Sequence, residues 1–208
     1  MKLYGHPVSP GTRLVLMALA EKKVEHELVA LDFMKGDHKQ PAHVARQPFG
    51  KMPALEHDGF TLFESRAIAR YVADAFPGTS LIPTDAKKRA LVDQWVNAEA
   101  FEFYPVAHPL AFELVVKKVV GMGDPDPARV EALRTSLAPV LAVLDRALEG
   151  KTYLVGDELT LADMVYMPDL EMLHAGGEGD RIAKFANVAK WWKTIAARPS
   201  WARAKGAA

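Results

Sequence analysis

The chain has 208 residues, 50% of them hydrophobic, and its 26 lysines and arginines balance its 26 aspartates and glutamates. An even charge gives no basic excess for general nucleic-acid binding. The complete absence of cysteine removes disulfides, thiolate metal sites and cysteine nucleophiles together.

Any thiol chemistry must therefore use a thiol brought by a cofactor or substrate. No run approaches the roughly 18 apolar residues of a membrane span. The opening stretch is broken by Gly5, His6, Pro7, Ser9 and Pro10 and does not read as a signal peptide, so cytoplasmic residence is expected.

Lys2 to Gly5 reads as a short strand and His6 to Pro10 as a turn. Thr12 to Lys22 carries Leu14, Val15, Leu16, Ala18 and Leu19, the pattern of a helix packed on a sheet. Val24 to Leu31 has the rough period of two of a half-buried strand. A polar stretch over Met34 to Gln47 precedes a short strand at Pro53 to Glu56. Asp58-Gly59 is a hairpin signal, Phe60 to Phe63 resumes extended structure, and Ser65 to Phe76 has helical spacing.

Beyond Pro77-Gly78 the pattern is almost entirely helical. A long run from Lys87 to about Val120 should bend or break at Pro105 and Pro109. Gly121 to Pro127 reads as a loop, and Ala128 to Leu148 as a helix disturbed at Pro139. Further helices are expected over Leu161 to His174 and Val188 to Ala197, with Gly176 to Gly179 as a loop between them. The expected division is a small α/β domain at 1–77, a linker at 78–86 and an all-α domain at 87–208.

Ser9 precedes the first helix, where exposed amides favour an anion. A thiol placed there would ionise more readily, although the same serine serves equally as an ordinary helix cap. Thr12 and Arg13 are candidates of the same local kind. Glu64-Ser65-Arg66 stands between a strand and a helix: capping plus a surface ion pair explains it, and so does a site for an ammonium and a carboxylate. A cis bond at Met52-Pro53 would turn the preceding backbone outward toward an extended peptide, but most X-Pro bonds are trans. His38 and Lys39 offer donors to an anion or form a solvated loop pair. Thr160 to Asp163 reads as a capping box for a buried helix. Met164, Met167 and Met172 read as core, Trp191 and Trp192 as one buried and one partly exposed ring, and Trp201 as an anchor for the tail. No metal motif is present among the histidines.

Taken together, Lys2-Leu3-Tyr4-Gly5-His6-Pro7-Val8-Ser9, His38-Lys39-Gln40-Pro41, Arg46 to Leu55, and Phe63-Glu64-Ser65-Arg66-Ala67-Ile68 resemble the glutathione transferases, specifically the phi class. Glu99-Ala100, Phe103, Pro105, Ala107, Leu110 and Phe112-Glu113 resemble its helices. Leu154-Val155-Gly156-Asp157 through Thr160 and Asp163 resembles the family's folding-associated cap, and Arg198-Pro199-Ser200-Trp201 completes the likeness.

The resemblance implies a thioredoxin-like α/β domain that holds glutathione and an all-α domain that contributes to an electrophile pocket. Ser9 would donate a hydrogen bond to the glutathione sulfur, with Thr12 and Arg13 as supporting groups. His38, Lys39, Lys51, Met52, Pro53, Glu64, Ser65 and Arg66 would hold the tripeptide; Val8, Phe33 and Phe112 would meet the electrophile. Thr160 and Asp163 would be structural. Lys51 stands where glutamine is common, adding a charge, and Gln47, where asparagine is common, is expected to matter little. The implied reaction conjugates reduced glutathione, a co-substrate and not a bound cofactor, to small apolar electrophiles. The implied assembly is a homodimer, with no nucleic-acid or membrane partner. Reduction of organic hydroperoxides and non-catalytic carriage of glutathione or apolar ligands are the alternatives.

Overall fold

A computed structural model describes residues 1–206, which form two compact units, 1–82 with 197–206 and 83–196. The sequence-based division had placed the tail in the second domain; it clusters instead with the first.

The first unit is built on a four-stranded sheet of order β2-β1-β3-β4, with β1 at Lys2–Gly5, β2 at Glu27–Ala30, β3 at Ala54–His57 and β4 at Phe60–Phe63. β1 pairs parallel with β2 and antiparallel with β3, and β3 pairs antiparallel with β4. The register places Leu28, Leu3, Leu55 and Leu62 in one row across the sheet. With a side-chain period of two, Val29, Tyr4 and Ala54 share the other face, where Leu31 and Met52 join their cluster. Helix α1, Pro10–Lys22, links the parallel strands, as a parallel pair requires a crossover. Asp58 and Gly59 both have positive φ, the backbone of the tight turn expected between β3 and β4.

The polar stretch is less irregular than its composition suggests. It holds a 3-10 turn at Asp37–Lys39 and a short helix, α2, at Pro41–Val44. Helix α3, Ser65–Ala75, follows β4 and buries Ile68, Ala69, Val72 and Ala73. The short tail helix α12, Pro199–Ala204, went unread in the sequence. It packs on α1, with Trp201 fully buried. There Glu21 accepts hydrogen bonds from Arg198 Nε at 2.7 Å and Ser200 Oγ at 2.5 Å.

The second unit is helical. Its first run comprises α4 at Ala86–Ala98, α5 at Tyr104–Ala111 and α6 at Lys117–Val119. Wider π-helical segments at Glu99–Phe103 and Phe112–Val116 join them. Pro105 and Pro109 therefore do not stop the chain: the flanking turns widen around the missing donors. Helix α7, Pro127–Ala147, runs unbroken through Pro139, against the expected disturbance. Pro139 and Thr135 are both exposed, so the carbonyl that loses its partner faces water. The helix expected over 161–174 is instead divided into α8, Leu161–Met164, and α9, Met167–Ala175. Pro168 cannot donate to Met164, where the first segment ends. The glycine-rich loop likewise gives way to α10, Gly179–Ile182, ahead of α11, Ala186–Ala196.

Thr160 and Asp163 form the reciprocal capping box. Asp163, fully buried, also accepts from Leu154 N at 2.8 Å and Trp191 Nε1 at 3.0 Å. Burial pushes its carboxyl above the ordinary carboxylate value, against the pull of the Leu154, Thr160 and Trp191 donors. Met164, Met167 and Met172 are buried as expected, as is Trp191, while Trp192 is half-buried.

Candidate active site

Ser9 is the N-cap of α1, with extended backbone (φ −66°, ψ 128°). Its Oγ accepts from Thr12 N at a long 3.5 Å, a weak cap. Among the described residues no protein acceptor takes its hydroxyl hydrogen, and the side chain is half-buried. The residue that could be a routine cap is thus only loosely engaged as one.

Thr12 and Arg13 are placed differently. Thr12 is fully buried against Gly5, where a Cβ would come within 2.4 Å of Thr12 Oγ1. Its hydroxyl faces the interior, beyond reach of a solute. Arg13 Nε donates to Pro7 O at 2.9 Å, bracing the turn that carries Ser9.

Gly11, which sequence reasoning passed over, brings three candidate segments together. A Cβ there would meet Pro53 Cδ at 3.1 Å, Met52 O at 3.3 Å and Ser65 Cβ at 3.3 Å. The start of α1, the Met52-Pro53 bond and the start of α3 therefore converge on one glycine, whose missing side chain permits the approach. The Met52-Pro53 bond is cis. Ser65 opens α3, with Arg66 in its first turn. Glu64, exposed at its N-cap, holds φ at 70°, a left-handed conformation costly for any residue with a Cβ. Such strain concentrates where position matters more than stability.

A second junction forms at Gly50, φ 57°. A Cβ there would lie 2.8 Å from Lys39 Cδ and 3.2 Å from His38 O. Lys39 Nζ donates to Phe49 O at 3.4 Å, so the His38-Lys39 loop sits beside the segment entering Lys51 and Met52. Phe33, half-exposed, stacks on His38 with ring centres 4.6 Å apart. Burial, then the neighbouring Lys39 and His43, hold the His38 imidazole below its ordinary pKa. Val8 is exposed beside Ser9. Phe112 lies in the second unit, where a π-helical segment begins.

Two supports were missed or undervalued. Buried Gln47, expected to matter little, accepts from Lys51 N at 3.1 Å through Oε1. His43, also buried, lies 2.6 Å from Lys51 O through Nε2. A histidine within a polar loop was the available sequence signal, but periodicity over four residues cannot separate inward from outward positions. Among the described residues there is no cluster of three or more potential metal ligands, and no helix is long and apolar enough to cross a membrane.

The arrangement thus joins a loosely committed hydroxyl at a helix start, a second helix start and a cationic loop within one unit. Comparison with known proteins gives it a family. The family model "Glutathione S-transferase, N-terminal domain" matches residues 1–74, and "Glutathione S-transferase, C-terminal domain" matches residues 103–199. Glutathione S-transferase F12 of Arabidopsis thaliana is 38% identical over 204 residues, covering 97% of this chain and 95% of its own.

The chain belongs to the glutathione S-transferase family.

Among solved structures, glutathione transferase F7 from Populus trichocarpa superposes with a TM-score of 0.93 at 35% identity, covering 99% of this chain and 98% of the other. Maize glutathione S-transferase I, in complex with an atrazine–glutathione conjugate, gives a TM-score of 0.89 at 31% identity, covering 99% and 96%. Membership accounts for the α/β first unit and the helical second one, and places the chain with the phi-class enzymes. It is a glutathione transferase.

Proposed function

We propose that this glutathione transferase conjugates reduced glutathione to small apolar electrophiles through a thiolate stabilised by Ser9. The observation that carries the reading is the Ser9 hydroxyl. It stands at the start of α1 with a long 3.5 Å cap bond and a hydrogen to spare. A thiol of ordinary pKa, about 8.5, is mostly protonated near neutrality. A hydroxyl donor and the amides of a helix start both favour its anion. The thiol proton leaves to solvent, the sulfur lone pair forms a C–S bond, and in a substitution the leaving group departs with its bonding pair. Ser9 forms no covalent bond and returns unchanged.

In this reading His38, Lys39, Lys51, Met52 and Pro53 hold the central and glycyl parts of the tripeptide. Glu64 and Ser65 take the ammonium and carboxylate of the γ-glutamyl end, supported by Arg66. Arg13 contributes indirectly by bracing the Pro7 turn, and Thr12 by packing. Val8 and Phe33 are the electrophile-side residues proposed for the first unit, and Phe112 for the second. Two copies of the chain acting as a cytoplasmic homodimer complete the proposal. The glutathione conjugate held by the maize relative supports the substrate class.

Turnover of an activated aryl halide and of cumene hydroperoxide, measured on the parent and on Ser9→Ala, tests the reading. Loss of a single preorganised donor predicts a fall of roughly 100-fold in conjugation rate, with glutathione affinity kept within about threefold. Unchanged turnover in Ser9→Ala contradicts the assignment. Dominant peroxide turnover would favour the hydroperoxide reductase, and no turnover across a broad electrophile panel would favour a carrier.

A further inference from the structure

The backbone of Lys51 is held from beneath at both of its polar groups. Its N–H donates to Gln47 Oε1 at 3.1 Å, and its C=O lies 2.6 Å from His43 Nε2. A carbonyl oxygen can only accept, so His43 must carry its proton on Nε2. The other ring nitrogen, Nδ1, is buried with no hydrogen-bond partner among the described residues. Both side chains are deeply buried, at 3% exposure for His43 and 2% for Gln47. They stand one helical turn apart, with Gln47 N bonded to His43 O at 2.9 Å and Gly50 N to Gln47 O at 2.9 Å.

An orphaned buried polar nitrogen is unfavourable, and an apolar ring of similar size would avoid it. The cost is understandable if the imidazole is kept for where it sets Lys51. With the Lys51 N–H and one acceptor site of its C=O taken from inside, its ammonium is the donor it can turn to a ligand. The next backbone groups, those of Met52, lead directly into the bond that packs against Gly11.

We infer that His43 and Gln47 are positioning residues for glutathione: they fix the Lys51 backbone so that its ammonium and the Met52 backbone meet the tripeptide. The inference rests on the glutathione-binding reading above. Neither side chain touches the reacting sulfur, so the effect is on binding and not on the chemical step.

Calorimetric titration with reduced glutathione, paired with steady-state kinetics and thermal melts, tests it on the full-length chain. His43→Phe fills the same space without a donor, Gln47→Met removes the acceptor, and His43→Gln restores a nitrogen donor at similar reach. His43→Phe and Gln47→Met should each weaken glutathione binding roughly five- to tenfold, the scale of one lost hydrogen bond with its misplacement. KM for glutathione should rise in step while kcat at saturation holds. The melting temperature of His43→Phe should stay level or rise as the orphaned ring nitrogen disappears, and His43→Gln should recover most of the affinity. Unchanged affinity in both folded variants overturns the inference. So does a joint fall of affinity and melting temperature that His43→Gln does not relieve, because that is ordinary packing. Should His43→Phe not fold, Gln47→Met decides alone by the same affinity criterion. A parent that binds no glutathione refutes the site reading, and the inference with it; binding by the parent with unaffected variants refutes the inference alone.

Discussion

Ser9 and Thr160 are both helix N-caps with a hydroxyl side chain, and the two are used in opposite ways. At Thr160 the cap is saturated: Asp163 Oδ2 accepts from Thr160 N at 3.0 Å and from Thr160 Oγ1 at 3.2 Å. Asp163 Oδ1 accepts from Leu154 N and Trp191 Nε1. Every polar atom of that carboxylate is spent inside the fold. At Ser9 the single cap bond is long, no acidic residue lies in the first turn, and the hydroxyl is half-open. A helix start is an anion site in both cases. At Thr160 the protein supplies its own acceptor oxygens; at Ser9, in the reading proposed, the position is left for an anion from outside.

The contrast breaks most readily at Asp163. Asp163→Ala strands four buried or half-buried donors and should cost about 3–5 kcal/mol, on the order of 10 °C in melting temperature. Ser9→Ala, losing a cap bond already 3.5 Å long, should cost under about 0.5 kcal/mol, at the low end for N-caps. Thermal melts of the two variants beside the parent check this, and equal destabilisation would erase the distinction.

A smaller effect is expected at the far end of α1, where the chain again supplies all the partners. Burial raises the pKa of Glu21, but the hydrogen bonds from Arg198 and Ser200 outweigh it, leaving the carboxyl below its ordinary value of 4.5. A depressed carboxylate contributes stability that is fully present above the unfolded value, and that stability is lost as pH falls through the folded one. Melting temperature should therefore drop below about pH 4.5 in the parent. The slope in that range should shrink in Glu21→Gln. An unaltered slope would remove Glu21 from the acid response.

The legibility of these features in the sequence follows from the range of the interactions that make them. Strands β1 and β4 and helix α3 are set by local alternation, an Asp-Gly turn and helical spacing, and the chain states them directly. Pro139 misled because water at the exposed Thr135 carbonyl offsets part of the lost hydrogen bond, and that exposure depends on tertiary packing. Pro168 was underread for the converse reason. The tail helix begins with Arg198-Pro199 and gains its place from Glu21, 177 residues earlier in the chain, a distance no local pattern spans.

The site divides along the same line. Ser9, Glu64 and Ser65 stand at element boundaries and could be singled out locally, although only the family resemblance raised them above capping. The convergence on Gly11, the burial of Thr12 against Gly5 and the grip of His43 and Gln47 on Lys51 are three-dimensional facts. Gln47 is the clearest lesson: judged as a substitution it looked minor, and judged by its partner it is buried and accepts from the Lys51 backbone amide.

In the proposed reaction the open hydroxyl of Ser9 stabilises the thiolate of bound glutathione. Ultraviolet thiolate absorbance of the glutathione complex, titrated against pH in the parent and in Ser9→Ala, measures this without reference to any electrophile. In the parent the bound thiol should titrate clearly below the free value of about 8.5, returning most of the way to it in Ser9→Ala. Superimposable titration curves for the two proteins would contradict it.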